Sequence, residues 1–265
     1  MNVEETLRGI LAADRHEGGI RCLRLFRLEE TFFKALVEDV ERVCRSNDPS
    51  NVTRPGHVTN WTRPFGDVLQ YSLLNQSGRY DDFSSDHDLS CFGKRFHDAA
   101  GYPALARLID SFPHTVNFRI NVLGPGAGLS PHEEHVAMPM RSGKLGARVR
   151  FHLPIASTDG AELMLDGESY HLDKGTIYFI NHGCVHSAVN HAEQPRIHLV
   201  WDMLLTTEAF DLMFGSAPAM LPLERIPEHH AVPSPLRVER AGAHRRLPPR
   251  VMLDDESILE LCEPQ

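Results

Sequence analysis

The sequence predicts a mainly β protein: an antiparallel barrel or sandwich, with N-terminal helices packed outside it and an extended segment after it. Three observations predict this. From about residue 115 the apolar residues recur at every second position, where before they recur every three or four. The stretch "AELMLDGESYHL" sets two alternating runs around Asp166-Gly167, a pair suited to the positive φ angles of a tight hairpin. The alternating segments also follow one another without helices between them, which favours antiparallel pairing.

The elements can be justified in order. The opening stretch "MNVEETLRGILAADRHEGG" is acidic and amphipathic, not a basic segment followed by an apolar core, so no signal peptide is expected. Residues 1–50 read mostly as helix. In "ETFFKALVEDVERVCR", Phe32, Leu36, Val40 and Val43 share one stripe at helical spacing, the face of a helix packed on a core. Residues 51–66, "NVTRPGHVTNWTRPFG", read as loop because of their Pro and Gly. "GYPALARLIDSF" is a second amphipathic helix. "HTVNFRINVLG", "ARVRFHLPIA", "GTIYFIN" and "RIHLVWDML" are strands. Residues 216–265, rich in Pro and Arg, read as an extension wrapping the domain and ending in a short helix around "DDESILELC". The expected organisation is one domain over 1–215, helical to about 112 and β from about 113 to 207, with 216–265 serving as a lid or as the contact of a homodimer.

Bulk properties exclude several classes. A chain of 265 residues suits one large domain, or one with an appendage, and 42% hydrophobic with 24% charged residues is ordinary for a globular protein. The apolar runs are far shorter than a membrane span. A net charge of −9 disfavours a general nucleic-acid binder. The five cysteines, Cys22, Cys44, Cys91, Cys184 and Cys262, form no CxxC pair, which suits a reducing cytoplasm and argues against a disulfide framework.

The alternation sorts polar residues onto one face. In "ARVRFHLPI", Val149, Phe151 and Leu153 share a face, and Arg148, Arg150 and His152 share the other. In "RIHLVWDM", Ile197, Leu199, Trp201 and Met203 oppose Arg196, His198, Val200 and Asp202. A surface strand would alternate in the same way. Arg and His two positions apart on both polar faces suit a barrel whose interior holds a charged ligand.

The stretch "LSPHEEHVAMP" carries the metal signal. It is not HExxH, so zinc-protease helix geometry is absent. Read as a strand, it turns His132 and Glu134 to the same side, with Glu133 and His135 pointing elsewhere. A histidine and a carboxylate so spaced, plus a distant histidine, make a facial triad that binds Fe(II) and leaves positions open for a cosubstrate and O2. His182 and His186 are the candidates for the distant ligand.

The stretch "GTIYFINHGCVHSAVNHAEQPRIHLVWDM" resembles the aspartyl/asparaginyl β-hydroxylase-like family of Fe(II)- and 2-oxoglutarate-dependent oxygenases, which includes bacterial proline cis-hydroxylases. There the distal histidine heads "HSxxN" and an arginine ten residues later binds the cosubstrate; here these are His186 in "HSAVN" and Arg196. "PHEE" stands where Pro-His-x-Asp is usual, and "RFHLPI" matches an Arg-x-His strand that in some members also contacts 2-oxoglutarate. The resemblance covers roughly residues 115–205.

The resemblance implies a double-stranded β-helix, the jelly-roll or cupin-like core. It also implies Fe(II) held by His132, Glu134 and His186, with 2-oxoglutarate and O2 as cosubstrates. His186 is preferred to His182 for its spacing to Arg196. Arg196 would hold the far carboxylate of 2-oxoglutarate, with Arg150, His152 and Asn121 as further contacts. Glu134 is one methylene longer than the usual Asp, and its carboxylate speaks against halogenation. The expected reaction is hydroxylation of an unactivated C–H of an amino acid, free, carrier-bound or in a peptide.

A free amino acid needs a cation for its carboxylate. Arg63, Arg119 and Arg148 are unassigned, each read first as a surface ion-pair residue, with Arg148 the best placed for substrate. Trp61 and Tyr71 could line the entrance, but packing in the core or at the rim is the first reading for both. The alternatives are a cupin-like isomerase or hydrolase using another metal, and a non-catalytic barrel binding a small ligand.

Overall fold

The computed structural model describes residues 2–53, 65–88, 93–215, 221–226, 230–234 and 261–262. Helix α1 (Val3–Leu11) is capped by Asn2, whose side chain accepts from the Glu5 N–H, and runs into a 3-10 turn at Ala12–Arg15. Then come β1 (Cys22–Leu28), α2 (Glu30–Ser46), β2 (Ser50–Asn51), β3 (Val68–Ser72), α3 (Phe83–His87) and α4 (Pro103–Asp110). The strands β4 (Thr115–Leu123), β5 (Gly128–His132), β6 (Ala137–Pro139), β7 (Leu145–Ala156), β8 (Ala161–Leu165), β9 (Glu168–Tyr170), β10 (Thr176–Ile180), β11 (His186–Asn190) and β12 (Arg196–Leu204) follow without an intervening helix. Helix α5 (Thr207–Phe214) and β13 (Leu223–Arg225) come last.

Two antiparallel sheets result. The larger runs β13-β1-β10-β7-β12-β4-β3-β2, with β6 on the early part of β7, and the smaller runs β5-β11-β8-β9. Their inner faces meet: Val68, Leu123 and Ile180 of the large sheet share a core with Leu163, Leu165 and Ala188 of the small one. The outer face of the large sheet, including Phe118, Phe151, Leu199 and Trp201, is covered by Leu7, Leu36, Val40 and Leu105 of the helices. The architecture is thus the expected double-stranded β-helix with helices outside it. Trp201 stacks between Phe118 and Phe151, with ring centroids at 4.8 and 5.4 Å. The hairpin turn at Asp166-Gly167 has φ angles of 49° and 84°, as its sequence predicts.

The N-terminal part departs from the helical expectation. β1, β2 and β3 belong to the large sheet, with β1 between β10 and β13. The register of β1 against β10 shifts between Arg24 and Phe26, a bulge that breaks the alternation on which strand recognition depends. The stripe Phe32, Leu36, Val40 and Val43 is buried on α2 as expected. Asp39, on the same helix, accepts from the Ala104 and Leu105 amides and so caps α4 from outside it. In the C-terminal extension, β13 covers the edge of β1, the Ser234 N–H donates to the Ser169 carbonyl, and the Cys262 N–H donates to that of Leu205. Trp61, Arg63 and the body of the helix expected around "DDESILELC" lie outside the described residues.

Candidate metal centre

β5 and β11 are neighbours in the small sheet, and His132 and His186 face each other across one rung, with ring centroids 4.1 Å apart. Each ring is tethered to a carbonyl two residues back: His132 Nδ1 lies 2.7 Å from the Ser130 oxygen and His186 Nδ1 2.9 Å from the Cys184 oxygen. A carbonyl can only accept, so each Nδ1 carries the proton and each Nε2 the lone pair. Glu134 completes the group: one donor atom from each of His132, Glu134 and His186 lies within 4.8 Å of the others.

Glu134 reaches this position in a way that strand period does not explain. β5 ends at His132, and Glu134 lies in the connection to β6, where its N–H donates to the His182 carbonyl at 2.9 Å. Glu133 turns toward His16 and His135 toward Asp14, away from the triad. His182 is fully buried and supplies its carbonyl to Glu134, but its ring is not among the three donors.

The inner face of the large sheet supplies the opposite wall. Arg150 on β7 donates to both oxygens of Glu134, at 2.7 and 3.1 Å, and to both of Asp202 on β12, at 2.7 and 2.9 Å. Arg148 also bridges them, at 3.1 Å to Glu134 and 3.4 Å to Asp202. Asn117 donates to Asp202 at 3.0 Å. Burial alone would raise both carboxyls, but Arg150 and then Arg148 outweigh it and hold Glu134 and Asp202 far below the ordinary carboxylate range. Arg148 and Arg150, expected at the substrate and cosubstrate, are therefore both paired with Glu134 and Asp202. Asp202 is the residue that sequence reasoning missed. Its position on the polar face of "RIHLVWDM" was the available signal, but its pairing with Arg150 depends on the register of β12 against β7.

Arg196 is placed differently. Its side chain is buried, it bonds His198 Nδ1 at 2.9 Å, and among the described residues no carboxylate pairs with it. Burial pushes its pKa down to about 10, so it remains a cation at neutral pH. His198 in turn lies 3.4 Å from His152, Nδ1 to Nδ1. Asn121 is the register partner of His198, and its buried Oδ1 lacks a donor.

Burial holds His152, His182, His186 and His198 neutral, with folded-state pKa values below the ordinary imidazole value of about 6.5. The unfolded chain takes up protons on these groups below about pH 6.5, and the folded chain does not. Stability of the metal-free protein should therefore fall as pH drops below about 6.5, by up to about 1.4 kcal/mol per pH unit for each histidine. Urea midpoints measured from pH 8 to pH 5 check this; a flat profile would contradict it.

The donor set fits a divalent ion taking imidazole nitrogen and carboxylate oxygen at three positions. The two oxygens of Glu134 offer about four lone-pair directions, so the arginine bonds leave capacity for a metal. Residues 82–205 match the family model described as aspartyl/asparaginyl beta-hydroxylase. That segment, just under half of the chain, is similar to the hydroxylase domain of that family. The match and the group formed by His132, Glu134 and His186 support a 2-oxoglutarate-dependent dioxygenase, a class using Fe(II), 2-oxoglutarate and O2.

No curated protein matches the chain. Among solved structures, the non-haem α-ketoglutarate-dependent epimerase SnoN from nogalamycin biosynthesis is similar over 84% of this chain and 97% of its own, at 12% identity and TM-score 0.48. AviO1 from Streptomyces viridochromogenes is similar over 72% and 92%, at 15% identity and TM-score 0.42. HygX from Streptomyces hygroscopicus, with nickel and 2-oxoglutarate bound, is similar over 64% and 78%, at 11% identity and TM-score 0.39. Among the described residues, no helix is long and apolar enough to cross a membrane.

Proposed function

We propose that the protein hydroxylates an unactivated C–H bond of an amino acid, free, carrier-bound or in a peptide, with 2-oxoglutarate and O2 converted to succinate and CO2. The observation that carries this reading is Arg196: a buried guanidinium with no carboxylate partner among the described residues, ten positions after His186. A planar guanidinium in a dry site calls for a carboxylate that it can grip with two bonds.

In this reading His132, Glu134 and His186 hold Fe(II), and Arg196 holds the far carboxylate of 2-oxoglutarate. Fe(II) with the cosubstrate supplies the oxidising chemistry that places one oxygen atom of O2 on the substrate carbon. The chain does the rest. Arg148 and Arg150 keep Glu134 ionised and fix its long side chain. His198 orients Arg196, and the amide N–H of Asn121 offers a further donor beside it, its Oδ1 remaining an acceptor. The apolar residues between the two sheets keep water from the reacting carbon.

Adding Fe(II) and 2-oxoglutarate without oxygen should give a weak visible charge-transfer band that His186→Ala abolishes. A mass-spectrometric screen with O2 should then show a product heavier by one oxygen atom. No band from the wild type, with no succinate formed, would sink the proposal in favour of another metal or a non-catalytic barrel.

A further inference from the structure

The inner face of the large sheet carries a second buried arginine with no assigned partner. On β4, Phe118 and Ile120 point into the helix-covered core, whereas Asn117 reaches Asp202 on the other side. Strand period therefore turns Arg119 and Asn121 to the inner face with Asn117. Arg119, read from sequence as a surface ion-pair residue, is only 9% exposed. Its Nε is buried without a partner, and among the described residues no carboxylate pairs with its guanidinium. A buried unpaired cation is costly, and a fold that retains one gains most when an anion binds there.

The surrounding groups narrow the anion. Arg148 and Arg150 are taken up by Glu134 and Asp202. Arg196 is assigned above to the cosubstrate. On one rung of the large sheet Arg119, Val200 and His152 lie side by side, and Arg196 bonds His198, whose ring stands edge-on to that of His152, so Arg119 and Arg196 border the same space. Across β3, Ser72 is the register partner of Arg119 and Gln70 that of Asn121. The side-chain oxygens of Gln70 and Asn121 are buried without donors. A cation lacking an anion thus stands beside two acceptors lacking a donor.

We infer that Arg119 receives the free carboxylate of the substrate while Gln70 and Asn121 receive its ammonium, so that the substrate is a free amino acid. A residue inside a peptide chain has neither group. The inference rests on the hydroxylase reading for the place of 2-oxoglutarate at Arg196.

The test uses the full chain loaded with Mn(II) and 2-oxoglutarate, titrated calorimetrically with the twenty proteinogenic amino acids and with their C-terminal amides. At least one free acid should bind, its amide roughly tenfold more weakly or worse. Arg119→Met should bring the acid down to the level of its amide while leaving 2-oxoglutarate affinity within about threefold, and Arg119→Lys should recover part of the loss. Equal binding of acid and amide by the wild type would overturn the inference without relying on any variant. So would failure of all twenty free acids to bind, or a loss of 2-oxoglutarate affinity in Arg119→Met with the acid unaffected. Absence of Mn(II)-dependent 2-oxoglutarate binding by the wild type would instead sink the hydroxylase reading, and the comparison of acid with amide is scored separately on the same protein.

Discussion

Arg196→Met should weaken metal-dependent 2-oxoglutarate binding by between about 30-fold and several thousand-fold. Truncating one partner of a buried, hydrogen-bonded charge pair costs roughly 2–5 kcal/mol, and each 1.4 kcal/mol is about tenfold. The upper part of that range applies where water cannot replace the lost cation. Arg196 is 4% exposed, and the side chain it bonds is the neutral His198. Methionine keeps much of the side-chain volume, so the change removes the charge without opening a large void. Calorimetry of the Mn(II)-loaded variant reads the effect. A change of less than about threefold would mean that the far carboxylate lies elsewhere.

Asp202→Asn should lower the thermal midpoint by about 6–20 °C. The substitution keeps the shape and removes the charge that Arg148 and Arg150 share. Breaking a buried ion pair from one side costs roughly 3–5 kcal/mol, because the remaining charges stay out of water. For a chain of this size each kcal/mol shifts the midpoint by about 2–4 °C. Glu134→Gln should cost less, because the Glu134 side chain is 33% exposed and that of Asp202 is 0% exposed. The pH sense follows from the same pairing. The Asp202 carboxyl is held below its unfolded value near 3.9, so its contribution is present above about pH 4 and is lost on further acidification. Scanning calorimetry at neutral pH compares the variants. Equal midpoints for wild type and Asp202→Asn would show that the charge is not structural.

How much of this was legible in the sequence depends on whether a face or a register had to be read. The opposed faces of β7 and β12 could be read because each strand buries a different chemistry on each side: Phe151 and Trp201 toward the helices, Arg150 and Asp202 toward the small sheet. The turn at Asp166-Gly167 was legible because few residue pairs accept positive φ at both positions. β1 was not, since its bulge near Arg24 puts two adjacent apolar residues, Leu25 and Phe26, in the buried set. Glu134 was expected beside His132 and lies there, but for a different reason. The strand has already ended, and the His182 carbonyl and two arginines set the position. Asp202 and Arg119 acquire their surroundings only when β12 is registered against β7 and β4 against β3, and nothing local in the chain encodes those alignments.

The facing of His132 and His186 across one rung, each ring pinned to its own backbone, has a consequence for how an ion comes and goes. Ladder bonds between adjacent strands fix the spacing, so vacating the centre removes no scaffold. Loading and unloading should proceed as ligand exchange on a standing frame, and a chain made where iron is scarce would wait in competent form rather than collapse.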